Sequence, residues 1–365
     1  MRFLIGDSVL VWLDALTAKQ ALLTSKIAKI LIDEGHNVLI TTRKYDYTIG
    51  IFDLYDIPVI VVGEYGGETL EGKIKSDLER QIKLFKLVVE QKPDIHVSFT
   101  SPSSARVAYG LGIPILLLTD TPHSIPVNKL TIPLAEKIIA PLCTRNSWLK
   151  AGYQIDNFKF FDGVFEIAWI FDFEPDKTIL NKMGLEEYEY VVVRSEEKKA
   201  SYYDSYAKQY SEPTFLVKLL DQIIHKLELK VIFFPRYEDQ LRLVKYRYGS
   251  RVLIPRKSIE LQSIEAYAKA VISGGSTMAV ESALQGVPSI TLFPRKVETV
   301  YFLKEKGFPI FHIPYTTKSA QQVIDIIENA EAYRRDVNIL MKSLENPLPL
   351  IINEILRIRR RYSTI

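Results

Sequence analysis

The most informative chemical pattern in the chain is the segment 270–288, in which two glycines and two hydroxyl residues follow a short apolar run. Gly274 and Gly275 predict a tight turn from a strand into a helix, and they lack side chains where a ligand would approach backbone N–H groups. Ser276 or Thr277 can cap that helix. The unpaired donors and positive partial charge of a helix start favour phosphate, so we expect a diphosphate site here.

Glu281 follows about one and a half turns into the same helix. Its carboxylate can accept two hydrogen bonds from the hydroxyls of a ribose whose phosphates lie at the helix start. The alternative is that the glycines form an ordinary strand-to-helix turn and that Glu281 lies on the surface. The run Gly286-Val-Pro288, which closes the helix, favours the ligand interpretation.

Two aspartates and a histidine are candidate catalytic bases. Asp120 and His123 follow the apolar run 115–118, and Asp14 ends the first apolar run. Glycosyl transfer with inversion needs one base to deprotonate the acceptor hydroxyl, and a positive group to stabilise the leaving diphosphate. The alternatives are that Asp120 caps a turn, that His123 is an ordinary loop histidine and that Asp14 caps the first helix.

Basic side chains at predicted strand ends are candidate contacts for the diphosphate. Arg194 and Arg236 end consecutive strands of the second half, and Arg43 and Arg256 hold similar positions. A guanidinium suits bidentate contact with phosphate. Each arginine alone can be an ordinary surface charge. Two arginines at the ends of consecutive strands together favour the interpretation that they contact the diphosphate. Lys19, at the start of the first helix, either reaches the same anion or stays solvated.

A serine-rich segment, residues 98–104, follows the fourth apolar run and precedes a helix. Ser101 can help to bind a sugar or a phosphate at that helix start, although helix capping alone also explains it. The sequence contains no Asp-x-Asp pair, no metal-ligand spacing of histidines, no Walker loop and no Gly-x-Gly-x-x-Gly motif. We therefore expect neither a metal nor another cofactor.

Short apolar runs alternate with helical patterns along the chain, and these elements must position the candidate residues. In the first half the runs are 9–13, 38–41, 57–62, 95–99 and 115–118, and the helical patterns are 18–34 and 69–91. In the second half the runs are 191–193, 231–234, 252–254, 270–272 and 290–293, and the helical patterns are 213–226, 260–268, 278–285 and 297–306. Runs rich in Val, Ile and Leu without alternation suit strands buried on both faces of a parallel sheet.

This alternation predicts an α/β protein with two Rossmann-like domains. The N-terminal domain covers residues 1–168 and the C-terminal domain residues 169–346, while a last helix covers 347–365 and can cross back onto the first domain. Ligands of open parallel sheets bind beyond the carboxyl ends of the strands. We expect two such edges to face each other across a cleft that holds the ligand.

The composition fits a soluble globular protein and excludes several classes. Apolar residues make up 47% and charged residues 25% of the 365 positions. The 47 basic and 44 acidic side chains give a net charge of +3, which is too small for a dedicated nucleic-acid-binding protein. The single cysteine, Cys143, excludes a disulfide framework, and no apolar run is long enough to span a bilayer. We expect a cytoplasmic protein.

The C-terminal segment 351–361 carries four arginines interleaved with apolar residues. One interpretation is that this helix docks on anionic lipid headgroups at the cytoplasmic face of the membrane. The other, which we prefer, is that it packs back on the N-terminal domain with its basic end at the helix C-terminus. Self-association of the chain stays open.

Several stretches resemble known proteins. Gly274-Gly-Ser-Thr-Met278, with Glu281 and Gly286-Val-Pro288, looks like the nucleotide-sugar motif of the GT-B superfamily, which includes lipid-linked glycosyltransferases and UDP-N-acetylglucosamine 2-epimerases. The chain more closely resembles the largely archaeal domain of unknown function 354 family of predicted glycosyltransferases. The further matching stretches are Val11-Trp-Leu-Asp14, Gly35-His36 with Thr41-Thr-Arg43, Leu118-Thr-Asp-Thr-Pro-His123, Phe161-Asp-Gly163 with Glu166, and Phe234-Pro-Arg236. The resemblance adds Glu166 to the substrate-binding candidates.

The resemblance to epimerases is incomplete. Hydrolysing 2-epimerases carry a His-Arg-x-Glu-Asn motif after the first strand of the second domain, where this chain reads Val193-Arg-Ser-Glu-Glu197 without a histidine. They also carry Gly-Asp-Thr after the fourth strand, where this chain has Ser98-Phe-Thr100. Asp120 and His123 fall near their His-Val-Glu-Ala stretch, so an acidic group is kept there. These differences count against epimerase chemistry.

Together these patterns predict a metal-independent glycosyltransferase of the GT-B type. We expect it to bind a nucleotide-diphospho-sugar, with UDP as the nucleotide, mainly through the second domain. A glycan or lipid-linked sugar acceptor would enter from the first domain. The alternatives are a nucleotide-sugar 2-epimerase and a non-catalytic protein that binds a sugar nucleotide. No nucleic-acid partner is expected.

Overall fold

The structure is a computed structural model that describes residues 8–45, 47–199, 212–255, 259–316 and 319–362. The chain divides into two compact units. Unit 1 comprises Met1–Trp169 together with Glu345–Ile365, and unit 2 comprises Ile170–Leu344. Each unit has its own parallel β-sheet, and each therefore buries its own apolar core.

The sheet of unit 1 is built from strands that all run parallel. They are β1 (Leu10–Ala15), β2 (Asn37–Lys44), β3 (Ile60–Glu64), β4 (Ile95–Ser98), β5 (Ile115–Leu118), β6 (Lys137–Pro141) and β7 (Phe158–Phe161). Their spatial order is β3-β2-β1-β4-β5-β6-β7. The order reverses between β1 and β4, and the carboxyl ends of the strands at such a reversal form the usual ligand crevice of an open sheet.

The helices of unit 1 connect these strands. They are α1 (Ala18–Asp33), α2 (Thr48–Leu54), α3 (Leu70–Gln91), α4 (Pro102–Gly110), α5 (Ile125–Thr131), α6 (Arg145–Lys150) and α7 (Ile167–Ile170), the last of which reaches the boundary with unit 2. Trp12, Leu117, Ile138 and Trp148 are fully buried in the core. Their burial holds the strands in register, so the polar residues that follow each strand occupy fixed places at one edge of the sheet.

Unit 2 repeats the same architecture. Its strands are β8 (Tyr190–Arg194), β9 (Lys230–Phe234), β10 (Val252–Leu253), β11 (Ala270–Ser273), β12 (Ser289–Thr291) and β13 (Ile310–His312), in the parallel order β10-β9-β8-β11-β12-β13. Its helices are α8 (Thr178–Met183), α9 (Val217–His225), α10 (Glu238–Tyr248), α11 (Leu261–Ala266), α12 (Thr277–Leu284), α13 (Glu298–Glu305), α14 (Ser319–Glu328), α15 (Ala330–Tyr333) and α16 (Asn338–Lys342). The reversal of order here lies between β8 and β11.

The last helix, α17 (Pro347–Tyr362), belongs to unit 1, where it packs against α1 and β4. The prediction that it crosses back is therefore confirmed. Its apolar side chains are buried in that contact: Leu348, Ile351, Ile352, Ile355 and Ile358. Because they pack inside unit 1, the packing interpretation is favoured over docking on lipid. Within the described ranges, no helix combines the length and the apolar character that crossing a bilayer requires.

The predicted fold class, two Rossmann-like α/β domains with parallel sheets, is confirmed. Strands β6, β7 and β13 were not among the predicted runs, because segments of three to five residues become strands only when neighbouring strands supply their hydrogen bonds. The third run was predicted at 57–62, but β3 begins at Ile60. Pro58 has no amide hydrogen, and Asp56 has a left-handed φ of 52°, so strand pairing starts later.

Candidate functional site

In unit 2, the predicted glycine turn lies between β11 and α12, and its two glycines have different roles. Gly274 is buried, and a Cβ atom there would lie 2.3 Å from the Cα of Glu196. Its amide donates to the carbonyl of Arg194 at 2.9 Å. Gly274 is therefore required by close backbone packing, and its amide is already paired. The expectation that this residue exposes its N–H to a ligand is not met.

Gly275 is the glycine that leaves space. A Cβ atom there would have no described neighbour within 4 Å, apart from the adjoining residues. Its amide is 3.2 Å from Ser273 Oγ, and its carbonyl accepts from Thr291 Oγ1 at 2.8 Å. Ser276 is the N-cap of α12, but no side chain caps the helix. The amides of the first turn, including Thr277, are therefore the donors that this site offers to an anion.

Glu281 lies inside unit 2 rather than on its surface, with only 2% of its area exposed, so the surface alternative is wrong. Gln262 Nε2 is 3.5 Å from Glu281 Oε1. Glu265, on α11, is fully buried, and burial together with the neighbouring charge of Glu281 raises its pKa well above the ordinary value. Both effects favour the protonated form of Glu265. The two acids form a buried pair at the side of α12.

The two arginines predicted at strand ends lie on neighbouring strands. Arg194 is the last residue of β8, is 6% exposed, and stands opposite Phe234 of β9. Arg236 follows β9, and its amide donates to Ser195 Oγ at 2.9 Å. Since β9, β8 and β11 are adjacent in the sheet, both arginines and the glycine turn share one carboxyl edge of unit 2. This is the juxtaposition that the sequence predicted.

Glu196, two residues beyond β8, is a buried acid that was not among the predicted site residues. Its carboxylate accepts hydrogen bonds from Thr214 Oγ1 at 2.8 Å and from the amide of Phe215 at 3.1 Å. Burial raises the pKa of Glu196 to about 7, although the hydrogen bonds from Thr214 and Phe215 and the charge of Lys198 oppose the shift. Its position after a central strand and beside Gly274 was the signal that could have identified it.

In unit 1, Lys19 joins two carboxylates that follow different strands. Its ammonium contacts Asp120, which follows β5, and Glu166 Oε1 at 2.7 Å, which precedes α7. Both acids are at least nine-tenths buried. Burial alone lowers the pKa of Lys19, but the two carboxylates outweigh it and raise that pKa above its ordinary value. The lysine is therefore charged and is not solvated.

The lysine cluster is enclosed by aromatic rings. Lys19 Nζ lies 5.4 Å from the ring centre of Phe99 and 6.0 Å from that of Phe165. Burial raises the pKa of Glu166, although Lys19 opposes the shift, and Glu166 Oε2 accepts no hydrogen bond from any described residue. The cluster thus holds two carboxyl groups, those of Asp120 and Glu166, on one lysine, and burial favours the protonated form of Glu166.

Asp14, the second candidate base, is part of a different arrangement. Arg80 forms two hydrogen bonds with its carboxylate, at 2.6 and 3.2 Å, and Thr41 Oγ1 donates to it at 2.5 Å. Burial by itself raises the pKa of Asp14, but Arg80 and Thr41 lower it to about 2. Asp14 is buried, and both of its carboxylate oxygens already accept hydrogen bonds from Arg80 and Thr41. We therefore assign it a structural role.

The remaining candidates of unit 1 lie at the same carboxyl edge. Arg43, near the end of β2, stacks on the rings of Tyr45 and Tyr65 at 5.0 and 5.4 Å, and burial lowers its pKa. Ser101 precedes α4 and is fully buried, but its side chain does not cap that helix. His123 is half-buried in the loop after β5. Arg256 lies outside the described residues. In the described part of the chain, no three His, Cys, Asp or Glu side chains cluster as metal ligands would.

Several solved structures share this fold. The Methanocaldococcus jannaschii UDP-GlcNAc 2-epimerase in complex with UDP-GlcNAc and UDP matches with a TM-score of 0.72 and 16% identity, over 96% of this chain and 99% of that one. The Neisseria meningitidis UDP-GlcNAc 2-epimerase bound to UDP-GlcNAc matches with 0.71 and 13%, over 95% and 100%. Anabaena Alr3699/HepE in complex with UDP and glucose matches with 0.64 and 15%, over 96% and 100%. These similarities support the GT-B type of fold.

Sequence comparison defines the family. Uncharacterized protein MJ0665 of Methanocaldococcus jannaschii is 27% identical over 351 residues, which cover 94% of this chain and 97% of that protein. The family model described as "Protein of unknown function (DUF354)" matches residues 9–359, nearly the whole chain. The protein whose glycine turn and lysine cluster are described above belongs to the DUF354 family.

Proposed function

We propose that this protein is a metal-independent glycosyltransferase that uses a nucleotide-diphospho-sugar, with UDP as the expected nucleotide. The observation that carries the proposal is the uncapped start of α12, which follows the open residue Gly275 and leads to the buried acid Glu281. Free amides at a helix start bind phosphate. Three proteins of similar fold have structures with UDP or UDP-GlcNAc bound, which supports the same ligand class here.

In this proposal unit 2 holds the donor. The amides of Ser276 and Thr277 bind the diphosphate, and Arg194 and Arg236, at the same edge of the sheet, neutralise its charge. Glu281 accepts hydrogen bonds from the ribose hydroxyls. As the bond from the sugar to the diphosphate breaks, the added negative charge on the leaving group is stabilised by these donors, which is where the rate acceleration arises.

Unit 1 binds the acceptor and supplies the base. Asp120 takes the proton from the acceptor hydroxyl while that oxygen attacks the anomeric carbon. Lys19 pairs with Asp120 in a buried setting, and Glu166 fixes the position of Lys19 through its 2.7 Å contact. His123, three positions beyond Asp120, is the second candidate for the base. The proposed acceptor is a glycan or a lipid-linked sugar, as the sequence predicts.

A second candidate, a nucleotide-sugar 2-epimerase, is favoured by one specific feature of unit 1. Asp120 and Glu166 share Lys19, and burial raises the pKa of Glu166, which favours Glu166 as the proton donor of the pair. Epimerisation at C2 needs such an acid and base, because a proton leaves one face of the sugar and another is added to the opposite face. Against it, Val193 stands where epimerases have histidine.

A thermal-shift screen tests the donor site. UDP and several UDP- and GDP-sugars are added to the wild type, to Glu281→Gln and to Glu354→Gln, a matched control at another buried glutamate. A specific nucleotide should raise the melting temperature of the wild type and of the control by mass action, and the rise should be lost in Glu281→Gln. If no nucleotide stabilises the wild type at millimolar concentration, the proposal is wrong.

Product analysis separates the two candidate reactions. The protein is incubated with the UDP-sugar that gives the largest thermal shift, with and without a glycolipid extract. A glycosyltransferase releases UDP only when the extract is present, whereas an epimerase converts the UDP-sugar alone into its 2-epimer, which NMR detects. Nucleotide binding without either product would support the non-catalytic alternative.

A further inference from the structure

Helix α3 in unit 1 presents large apolar side chains to solvent along its whole length. Six of them are between 46% and 84% exposed. They are Leu70, Ile74, Leu78, Ile82, Phe85 and Val89. Their spacing of three or four residues places them on one face of the helix. We call this face the α3 stripe.

The face of α3 next to the α3 stripe already packs on the unit. Arg80, Leu84 and Val88 are buried there, and Arg80 holds Asp14. The helix is therefore apolar on two sides, which is unusual for a helix with one side in water. On the neighbouring helix α4, Tyr109 is also 58% exposed. A contiguous apolar surface of this kind marks an interaction site.

Charged residues along one flank of the α3 stripe form a self-complementary pattern. Lys75, Glu79, Lys86 and Glu90 lie within about 60° of one another around the helix axis, at 100° per residue, and all four are exposed. Lys75 and Glu90 are equally distant from the midpoint between positions 82 and 83, and so are Glu79 and Lys86. Each of these two pairs combines opposite charges.

This symmetry matches an antiparallel pairing of two α3 helices around a two-fold axis. In that arrangement Lys75 meets the partner's Glu90, and Glu79 meets the partner's Lys86, so each ion pair forms twice. The same register places Ile82 at the axis against the partner's Ile82. It brings Leu78 to within two positions, about 3 Å along the helix, of the partner's Phe85, and Ile74 equally close to the partner's Val89. Apolar contacts in the centre with opposite charges at the flank are how paired helices specify each other.

We propose that the α3 stripe is the interface of a homodimer, with a second copy of this chain as its occupant. The charges argue against a lipid surface, because the flank carries two lysines and two glutamates. Helices that lie on anionic membranes carry an excess of Lys and Arg on their polar face. The proposal does not depend on the proposed function.

The first test measures the mass in solution by light scattering and sedimentation at micromolar concentrations. The wild type should have twice the chain mass of 41.9 kDa, and Ile82→Glu should have the mass of one chain, because it places two like charges at the axis. The control is Ile339→Glu in unit 2, where the native side chain is 84% exposed, and it should remain dimeric. Circular dichroism melts verify that the variants are folded.

A charge exchange tests the antiparallel register. Glu79→Lys and Lys86→Glu each bring like charges together twice in the dimer, and each should raise the dissociation constant about tenfold. The double variant restores opposite charges and should dimerise as the wild type does. A monomeric wild type, a dimer unaffected by Ile82→Glu, or a double variant no tighter than the single ones would each overturn the proposal. If the protein were a monomer that binds liposomes through the α3 stripe, the dimer proposal would also be overturned, and the stripe would be a membrane-binding surface.

Discussion

Each unit of this protein has a buried acid near the carboxyl end of a central strand. The pKa of this acid is lowered in unit 1 and raised in unit 2. Asp14 lies in β1 and Glu196 follows β8, and each of these strands borders the reversal of its sheet. Both acids are buried, yet the pKa of Asp14 is about 2 and that of Glu196 about 7. The difference is Arg80, which reaches Asp14 from α3.

This comparison separates two effects on a buried carboxyl group. Burial raises the pKa in both units, because the charged form loses its hydration. A hydrogen-bonded cation reverses that effect in unit 1, for Asp14 through Arg80. In unit 2 the raised pKa values of Glu196 and Glu265 show that burial prevails. The cation therefore decides the outcome for Asp14, whereas burial decides it for Glu196 and Glu265, and also for Glu166 of unit 1, where Lys19 opposes the shift without reversing it.

The largest expected effect comes from removing Arg80, the cation that makes the pKa of Asp14 so different from that of Glu196. Arg80→Met leaves Asp14 buried and charged, and should lower the free energy of unfolding by about 3–5 kcal/mol. The double variant Arg80→Met with Asp14→Asn should recover much of this loss, since no buried charge remains. Urea unfolding measures both. Equal instability of the single and double variants would mean that packing of Arg80, rather than its charge, matters.

Removing Lys19 should let burial alone set the pKa of Glu166, as burial dominates the pKa of Glu196 and Glu265 in unit 2. Lys19→Met leaves Asp120 and Glu166 without their shared cation, so the pKa of Glu166 should rise further, and the free energy of unfolding should fall by about 2–4 kcal/mol at neutral pH. Turnover of the nucleotide sugar should fall about a hundredfold or more. Lys29→Met, an exposed lysine of the same helix, is the control and should leave both quantities unchanged.

The raised pKa of Glu196 predicts a dependence of stability on pH. Its ordinary value of 4.5 applies to the unfolded chain, and the folded value is about 7. Between these values the folded state binds more protons, so stability is full below pH 4.5 and falls as pH rises to 7, by up to about 3 kcal/mol. Glu196→Gln should remove this slope. Unfolding of both proteins at pH 5 and pH 8 measures the difference, and parallel pH profiles would contradict the assignment.

The two adjacent glycines of unit 2 provide the smallest and most direct test. Gly274→Ala forces a methyl group against the backbone of Glu196 and should lower the free energy of unfolding by about 1–3 kcal/mol. Gly275→Ala meets open space, so its stability should change little while its nucleotide-induced thermal shift decreases. Melting curves with and without nucleotide measure both effects. The reverse outcome would mean that Gly274 is the residue next to the ligand.

Much of the fold and part of the site could be predicted from local patterns. The turn at Gly274 and Gly275 was recognised because a glycine pair after an apolar run needs no distant information. Lys19 could be named as an anion contact, but its neighbours lie 101 and 147 positions away in the chain. The contact with Glu196 that requires a glycine at position 274 could not be predicted either, because these two residues are also far apart in the chain. Asp14 looked like a base because the sequence does not reveal that α3 delivers Arg80 to it.

The sequence by itself determined the alternation of strands and helices, the two α/β units and the turn before α12. These depend on periodicity and turn chemistry, which act over a few neighbouring residues. Only the tertiary structure decided which charges are paired and which acids have a raised or a lowered pKa. Those outcomes depend on burial and on contacts across the sheet between residues far apart in the chain, and a carboxyl group's pKa follows from these surroundings rather than from its neighbours in sequence.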